Sequence, residues 1–94
     1  MPDTPPLLWQ TTHMPASRVP DLLGGFADKF SRRVYNDSQC ALFLAKHFPT
    51  ALPAFRRLKG AHRADLWRYS VLYVYGGVYL DIKTVLRIPL HIAF

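Results

Sequence analysis

Residues 62–84 hold the densest set of side chains that could do chemistry. Asp65 and Arg68 are about one helical turn apart, so on a helix they project from one face, and Asp81 follows a short apolar run. A carboxylate accepts hydrogen bonds from two hydroxyls of a sugar, while a guanidinium orients that carboxylate and donates to the sugar or to a diphosphate. The types and spacing of these residues therefore fit chemistry on a sugar nucleotide.

Three predicted elements position these residues. Residues 61–75 contain neither glycine nor proline and are apolar on nearly every side, which predicts a buried helix. An unpaired charge on such a helix is costly, so its aspartate and arginine should pair with each other or with a ligand. Gly76 and Gly77 are expected to end the helix and reverse the chain. Residues 78–80 predict a buried strand that delivers Asp81 at its carboxyl end, where open α/β sheets bind ligands.

The rest of the chain alternates short strands and helices, which favours an α/β fold with a mainly parallel sheet and flanking helices. The expected elements, in chain order, are a strand at 7–10, an irregular loop at 12–20, a short helix at 21–30 weakened by Gly24 and Gly25, a strand at 33–35, a helix capped by Asn36 or Asp37 that runs to about Phe48, and one or two helical turns at 52–58 that end before the long helix.

At this point the sequence resembles a known family: glycosyltransferases whose sugar-binding region contains an Asp-X-Asp motif. The group includes fungal mannosyltransferases of glycosyltransferase family 32, capsular polysaccharide-type transferases and, more distantly, clostridial glucosylating toxins. Residues 8–11 and 35–37 are similar to the first two strands of that family. The matching positions of its main motif are Arg63, Ala64, Asp65, Arg68, Tyr69, Leu72, Tyr73, Tyr75, Gly76, Gly77, Tyr79 and Asp81.

The resemblance implies a role for individual residues. Asp65 and Arg68 match the pair that holds hydroxyls of the donor sugar, and Tyr79 matches an aromatic residue beside the nucleotide. Asp81 matches the first aspartate of the motif, which contacts the ribose and the metal shell, so it is the implied catalytic and metal-binding residue. The resemblance also implies that the first strand meets the nucleoside, through Trp9, Gln10 and Thr11.

Lys83 departs from the family pattern, because it stands where the second aspartate normally binds Mn²⁺ or Mg²⁺ directly. An ammonium group cannot coordinate a cation. Three interpretations stay open from the sequence. Lys83 itself neutralises the diphosphate as a point charge, or the fold persists without turnover, or a metal binds through Asp81 and ligands outside this chain.

The implied fold is a partial GT-A-like fold, the fold of nucleotide-diphospho-sugar transferases, with residues 1–94 as a single partial donor-binding domain. Complete transferases of this fold are larger, so we expect a truncated or partial enzyme. Its implied activity is transfer of a sugar from a UDP- or GDP-linked donor to a hydroxyl of a glycan, lipid or protein. The alternative is a non-catalytic binding or interaction fragment.

Composition bounds the other function classes. The formal net charge of +6 invites a nucleic-acid interpretation, but the aromatic residues follow a helix and do not interleave with the basic ones, so we expect no specific nucleic-acid binding. His13, His47, His62 and His91 lack the short paired spacing of metal ligands, and Cys40 is alone. No apolar run approaches the ~20 residues of a transmembrane helix. Location is open: the resemblance implies a cytoplasmic or membrane-peripheral protein if the source is bacterial or viral, and a Golgi protein if it is eukaryotic.

Overall fold

A computed structural model describes residues 5–13, 19, 21–86 and 88–90. Strands β1 and β2 come first, helices α1, α2 and α3 follow them, and strand β3 comes last; one short 3-10 helix lies between β1 and β2 and another between α1 and α2. The elements, in chain order, are β1 at Leu7–Thr12, a 3-10 helix at Gly24–Ala27, β2 at Ser31–Asn36, α1 at Asp37–His47, a second 3-10 helix at Pro49–Ala51, α2 at Leu52–Arg57, α3 at Gly60–Tyr75 and β3 at Val78–Tyr79. The predicted α/β class is confirmed.

The strands form one parallel sheet with β1 in the centre, in the order β2-β1-β3. β1 pairs with β2 along its whole length, from Leu7 opposite Ser31 to Thr12 opposite Asn36. The shorter β3 pairs only with the beginning of β1, where Trp9 lies opposite Tyr79. Because all three strands are parallel, their carboxyl ends meet at one edge of the sheet, which is the usual ligand-binding edge of open α/β sheets.

Alternation along β1 sends its side chains to two separate cores. Trp9 belongs to the larger core, which lies between the sheet and helices α1, α2 and α3. Leu8 belongs to the smaller core on the other face, beside the first 3-10 helix and the end of the described chain. The buried members are Trp9, Cys40, Phe43, Leu44, Phe55, Trp67 and Val71 in the larger core, and Leu8, Leu23, Ala27 and Leu90 in the smaller one.

Helix α1 begins at a reciprocal cap. The Asn36 side chain accepts a hydrogen bond from the Gln39 amide at 2.9 Å, and the Gln39 side chain accepts one from the Asn36 amide at 2.8 Å. These two bonds satisfy amides that a helix start otherwise leaves unpaired. Of the two predicted caps, Asn36 is therefore the correct one, and Asp37 is the first helical residue.

Helix α3 has the predicted position but is buried on one side only. Trp67, Ser70 and Val71 are buried against the sheet, whereas Tyr69 and Tyr73 are 64% and 83% exposed. The prediction of a helix buried all round is wrong, because the described chain packs helices on the sheet side of α3 and leaves its outer face in solvent. A phenol ring tolerates that exposure, since its hydroxyl is hydrated there.

Other predicted elements differ in extent. β1 and β2 are longer than the predicted 7–10 and 33–35, and the expected helix within 21–30 is only a 3-10 turn. Gly24 has φ +54 there, which interrupts regular α-helix. Most of the predicted loop at 12–20, like His91, lies outside the described residues. Within the described part, no helix has the length and apolarity to cross a membrane.

The turn between α3 and β3 needs glycine for two different reasons. Gly76 and Gly77 both have positive φ, at +69 and +95, so the predicted chain reversal is confirmed. A Cβ atom on Gly76 would meet nothing within 4 Å, but a Cβ atom on Gly77 would overlap the backbone carbonyl of Leu7. Close approach of this turn to β1 therefore depends on the missing side chain of Gly77.

We expect Gly77→Ala to lower the free energy of unfolding by more than ~3 kcal/mol, because it adds a backbone clash to an unfavourable φ. Gly24→Ala is the matched control, since Gly24 has φ +54 and open space around it; it should cost about 1 to 2 kcal/mol. Urea denaturation of both variants measures the difference. Equal losses would contradict the close approach of Gly77 to Leu7.

Candidate functional site

A cleft of about 500 Å³ lies at the carboxyl edge of the sheet. The ends of β1 and β3 and the first residue of α1, which follows β2, contribute to it, and the first half of α3 forms its opposite wall. Its lining residues are Thr11, Thr12, His13, Asp37, Cys40, Phe55, Gly60, Ala61, Arg63, Ala64, Trp67, Tyr79, Asp81, Ile82 and Lys83. Four residues predicted from the sequence, Thr11, Tyr79, Asp81 and Lys83, are thus brought together in one cleft.

Thr11 and Tyr79 join two strands inside the cleft. Their hydroxyl oxygens are 2.7 Å apart and share a hydrogen bond. Burial raises the pKa of Tyr79 and the carboxylate of Asp81 adds to this, while the bond to Thr11 and the charge of Arg68 act in the opposite direction. The phenol therefore stays neutral at physiological pH and can donate or accept a hydrogen bond, but it does not act as a phenolate base.

Asp81 and Lys83 form a tight turn directly after β3. The Asp81 side chain accepts a hydrogen bond from the Lys83 amide through Oδ1 at 2.8 Å, and the Asp81 carbonyl accepts one from the Thr84 amide at 2.9 Å. Both side chains are exposed. Within the described chain neither takes part in an ion pair. The turn therefore presents a carboxylate and an ammonium to the same cleft.

Gln10 positions this turn from beneath the sheet and does not line the cleft. It is 1% exposed, and its Nε2 donates to the Asp81 carbonyl at 3.3 Å. Its Oε1 accepts from Arg32 Nε on the neighbouring strand at 2.6 Å. Gln10 thus links β2, β1 and the segment after β3. This position does not favour the predicted contact between Gln10 and a nucleoside.

Trp9 also lies in the interior and does not line the cleft. Its ring is 3% exposed, and its Nε1 donates to the Gly76 carbonyl at 2.9 Å. It packs edge-on against Trp67 and Tyr35, with ring centroids 5.9 Å and 5.7 Å away. Of the three predicted residues of the first strand, only Thr11 reaches the cleft.

Asp65 and Arg68 form the expected ion pair at 3.2 Å, outside the cleft lining. The Asp65 side chain is 51% exposed, so the pair is on the surface and adds little stability. The Arg68 guanidinium lies 5.8 Å from the Tyr79 ring centroid, which puts the pair beside the cleft. A hydrogen bond to Tyr69, and secondarily the Asp65 carboxylate, raise the pKa of Arg68, while burial acts the other way.

Arg63 is a cleft residue that the sequence-based site did not include, although it belongs to the family pattern. Its Nε donates to the backbone carbonyls of Phe55 and Leu58 at 3.1 and 2.9 Å, and its Nη2 donates to the backbone carbonyl of Arg56 at 3.3 Å. Its Nη1 forms an ion pair with Asp37 at 3.3 Å. Arg63 therefore ties the end of α2 and the start of α1 to α3.

Apolar and sulfur-containing side chains, from Cys40, Phe55 and Trp67, complete the wall of the cleft. Burial, together with the nearby charge of Asp37, raises the pKa of Cys40 to about 12, and Arg63 only partly offsets this. The thiol is thus protonated and chemically inert at neutral pH. Trp67 is fully buried, and its Nε1 has no hydrogen-bond partner among the described residues.

The acidic residues of the cleft do not make a divalent-cation site. Asp37 is engaged by Arg63, Asp81 already accepts the Lys83 amide through Oδ1, and the Lys83 side chain brings a positive charge. Across the described residues, no group of three or more histidine, cysteine, aspartate or glutamate side chains could hold a metal. Mg²⁺ and Mn²⁺ require several oxygen ligands. The oxygen ligands that the described residues bring to this cleft therefore do not fit either ion.

We expect Arg63→Met to lower the free energy of unfolding by roughly 2 kcal/mol, because it leaves the α2 carbonyls without their charged donor. Arg57→Met is the matched control: Arg57 lies on exposed α2 surface and should tolerate the change within about 0.5 kcal/mol. Thermal or urea denaturation reports both values. Similar losses in the two variants would show that the hydrogen bonds of Arg63 contribute nothing measurable.

Cys40 should react with a thiol reagent at pH 8 only when the chain unfolds. A pKa of about 12 instead of 9.0 leaves on the order of a thousandfold less thiolate. The folded state also binds more protons than the unfolded state between these values, so the stability due to this group is full below about pH 9 and falls as the pH rises towards 12. Fast labelling of the folded chain, or an unchanged pH profile in Cys40→Ala, would contradict its burial.

Comparison with known proteins agrees with the geometry. The family model described as a glycosyltransferase sugar-binding region containing a DXD motif matches residues 2–92. Among curated proteins and among solved structures, none matches. The three-stranded parallel sheet flanked by helices is consistent with a partial GT-A-like fold. The chain therefore belongs to the family of glycosyltransferase sugar-binding regions containing the DXD motif.

Proposed function

We propose that residues 1–94 are a donor-binding domain and that its cleft binds the nucleotide diphosphate sugar of a glycosyl transfer reaction. Family membership supports the reaction class. The observation that carries the location is the meeting of Thr11, Tyr79, Asp81 and Lys83 around one cleft at the carboxyl edge of the parallel sheet. Its volume of about 500 Å³ is in the usual range of small-molecule sites.

The polar residues of the cleft suit the parts of such a donor. The hydroxyls of Thr11 and Tyr79 can bond a nucleoside, and the Tyr79 ring offers an apolar surface beside them. The second carboxylate oxygen of Asp81 can accept a ribose hydroxyl, since Oδ1 already accepts the Lys83 amide. In this proposal Asp81 is the catalytic residue because it touches the donor directly.

The donor sugar would extend from Tyr79 towards the Asp65–Arg68 pair. Arg68 lies over the Tyr79 ring, and the pair is half-exposed, so its oxygens and nitrogens are accessible to a ligand. A carboxylate can accept hydrogen bonds from sugar hydroxyls, and the neighbouring guanidinium can donate hydrogen bonds to oxygens of the same sugar ring. The pair therefore supplies the sugar-binding part of the site.

In the reaction, the bond between the anomeric carbon and the diphosphate oxygen breaks with its electron pair leaving on that oxygen, and the same carbon bonds to an acceptor hydroxyl oxygen whose proton is released to solvent. The departing diphosphate gains negative charge. Groups that meet this charge with positive potential accelerate the step. Here they are Lys83 and the first turn of α3, where Gly60 and Ala61 line the cleft and no acidic residue is present.

A second candidate function is donor or glycan binding without turnover. The observation that favours it is the motif itself, which reads Asp81-Ile82-Lys83 and leaves the cleft without a divalent-cation site among the described residues. Release of free sugar or its transfer to a hydroxyl acceptor, followed with a radiolabelled donor, separates the two candidates. Binding without either product would favour the non-catalytic function.

Isothermal titration with UDP-glucose, GDP-mannose and UDP-N-acetylglucosamine tests the donor site. Asp81→Ala should weaken binding of the preferred donor at least about tenfold, since it removes a charged hydrogen-bond partner. Asp28→Ala is the matched control because Asp28 is exposed and lies outside the cleft lining. Asp65→Ala should weaken binding of the sugar nucleotide but leave binding of the free nucleoside diphosphate unchanged. Unchanged affinity in Asp81→Ala would refute the assigned site.

A further inference from the structure

We propose that Lys83 supplies the countercharge to the donor diphosphate that a divalent cation supplies at a DXD motif, so that donor binding by this chain needs no divalent cation. The inference rests on the proposed function and specifies its charge chemistry. The family is described by its DXD motif, whereas the motif positions of this chain hold Asp81, Ile82 and Lys83.

Replacing the second aspartate by lysine changes the local charge in the direction that repels a cation. A carboxylate donates oxygen ligands to Mg²⁺ or Mn²⁺, whereas an ammonium has three N–H donors and no acceptor. The remaining carboxylates do not compensate, because Asp37 is paired with Arg63 and one oxygen of Asp81 accepts the Lys83 amide. A cation at this turn would therefore meet a reduced ligand set and a like charge.

Lys83 is positioned to meet an anion instead. Its backbone is held in the turn by the bond from its amide to Asp81, and its exposed side chain lines the cleft. No ion pair within the described residues engages this side chain. An ammonium is a compact point charge, which suits phosphate oxygens and needs no fixed angle of approach.

The neighbouring groups add to the same potential. The start of α3 lines the cleft without an acidic residue in its first turn. The Arg63 guanidinium is already paired with Asp37 and hydrogen-bonded to the α2 carbonyls, so it is not available to bind an anion in the cleft. Removal of the Lys83 side chain should therefore weaken binding of a nucleoside diphosphate without changing the affinity for the nucleoside.

The test is a titration of UDP and GDP into the chain, first with EDTA and then with Mn²⁺. The better nucleotide should bind the unchanged chain in EDTA, with an affinity that Mn²⁺ alters by less than about twofold. Lys83→Ala should weaken it at least about tenfold, while the affinity for the corresponding nucleoside stays the same. Lys29→Ala is the matched control, because Lys29 is exposed and outside the cleft lining.

Lys83→Asp makes the test reciprocal, since it restores the two aspartates of the motif. This variant should lose binding in EDTA and regain it in Mn²⁺. Binding of the unchanged chain only in Mn²⁺, or equal binding by Lys83→Ala, would overturn the role of Lys83 while leaving the donor site in place. Absence of binding by every variant, each with an unchanged circular dichroism spectrum, would overturn the donor site itself and this inference with it.

Discussion

The site depends on the close approach of the segment after α3 to the central strand. Three consecutive residues of β1 hold that segment: Trp9 donates to the Gly76 carbonyl, Gln10 donates to the Asp81 carbonyl, and Thr11 bonds the Tyr79 hydroxyl. The missing side chain of Gly77 leaves room for the approach. The carboxylate and the ammonium of the next turn are carried by this segment, so their place in the cleft depends on these contacts, on the bond from the Leu80 amide to the Trp9 carbonyl and on the packing of Leu80 against the smaller core.

This constraint also explains how far the sequence could predict the site. The pattern of apolar residues and the local composition were enough to predict α3, the chain reversal at its glycines and a strand leading to Asp81, because these features depend on neighbouring residues in the sequence. The structural roles of Trp9 and Gln10 could not be predicted in the same way. β1 continues to Thr12, two residues beyond the predicted end, so both residues lie within the strand and only its last residues reach the edge. Their direct contact with a nucleoside stays a prediction that this geometry does not favour.

Cleft residues that sequence reasoning missed come from elements whose packing is not local. Asp37 and Phe55 reach the cleft because α1 and α2 are folded against α3, and Arg63 holds those helices together. Arg63 had a signal, since it matches the family pattern beside Asp65. The exposure of the α3 tyrosines had none, because an apolar or aromatic residue in a helix does not reveal which neighbours will cover it. Burial there depends on tertiary packing.

The two arginines of α3 differ in how fully the surrounding structure engages their charge. Arg63 donates hydrogen bonds to four acceptors on α1, on α2 and at the end of α2, so its guanidinium holds these helices together. Arg68 lies on the outer side, where it touches Asp65, Tyr69 and the ring of Tyr79 and stays partly accessible. A long anionic ligand would therefore find accessible positive charge at two places, at Lys83 inside the cleft and at Arg68 beside it. In the proposed donor site, Lys83 would meet the diphosphate and Arg68 the sugar.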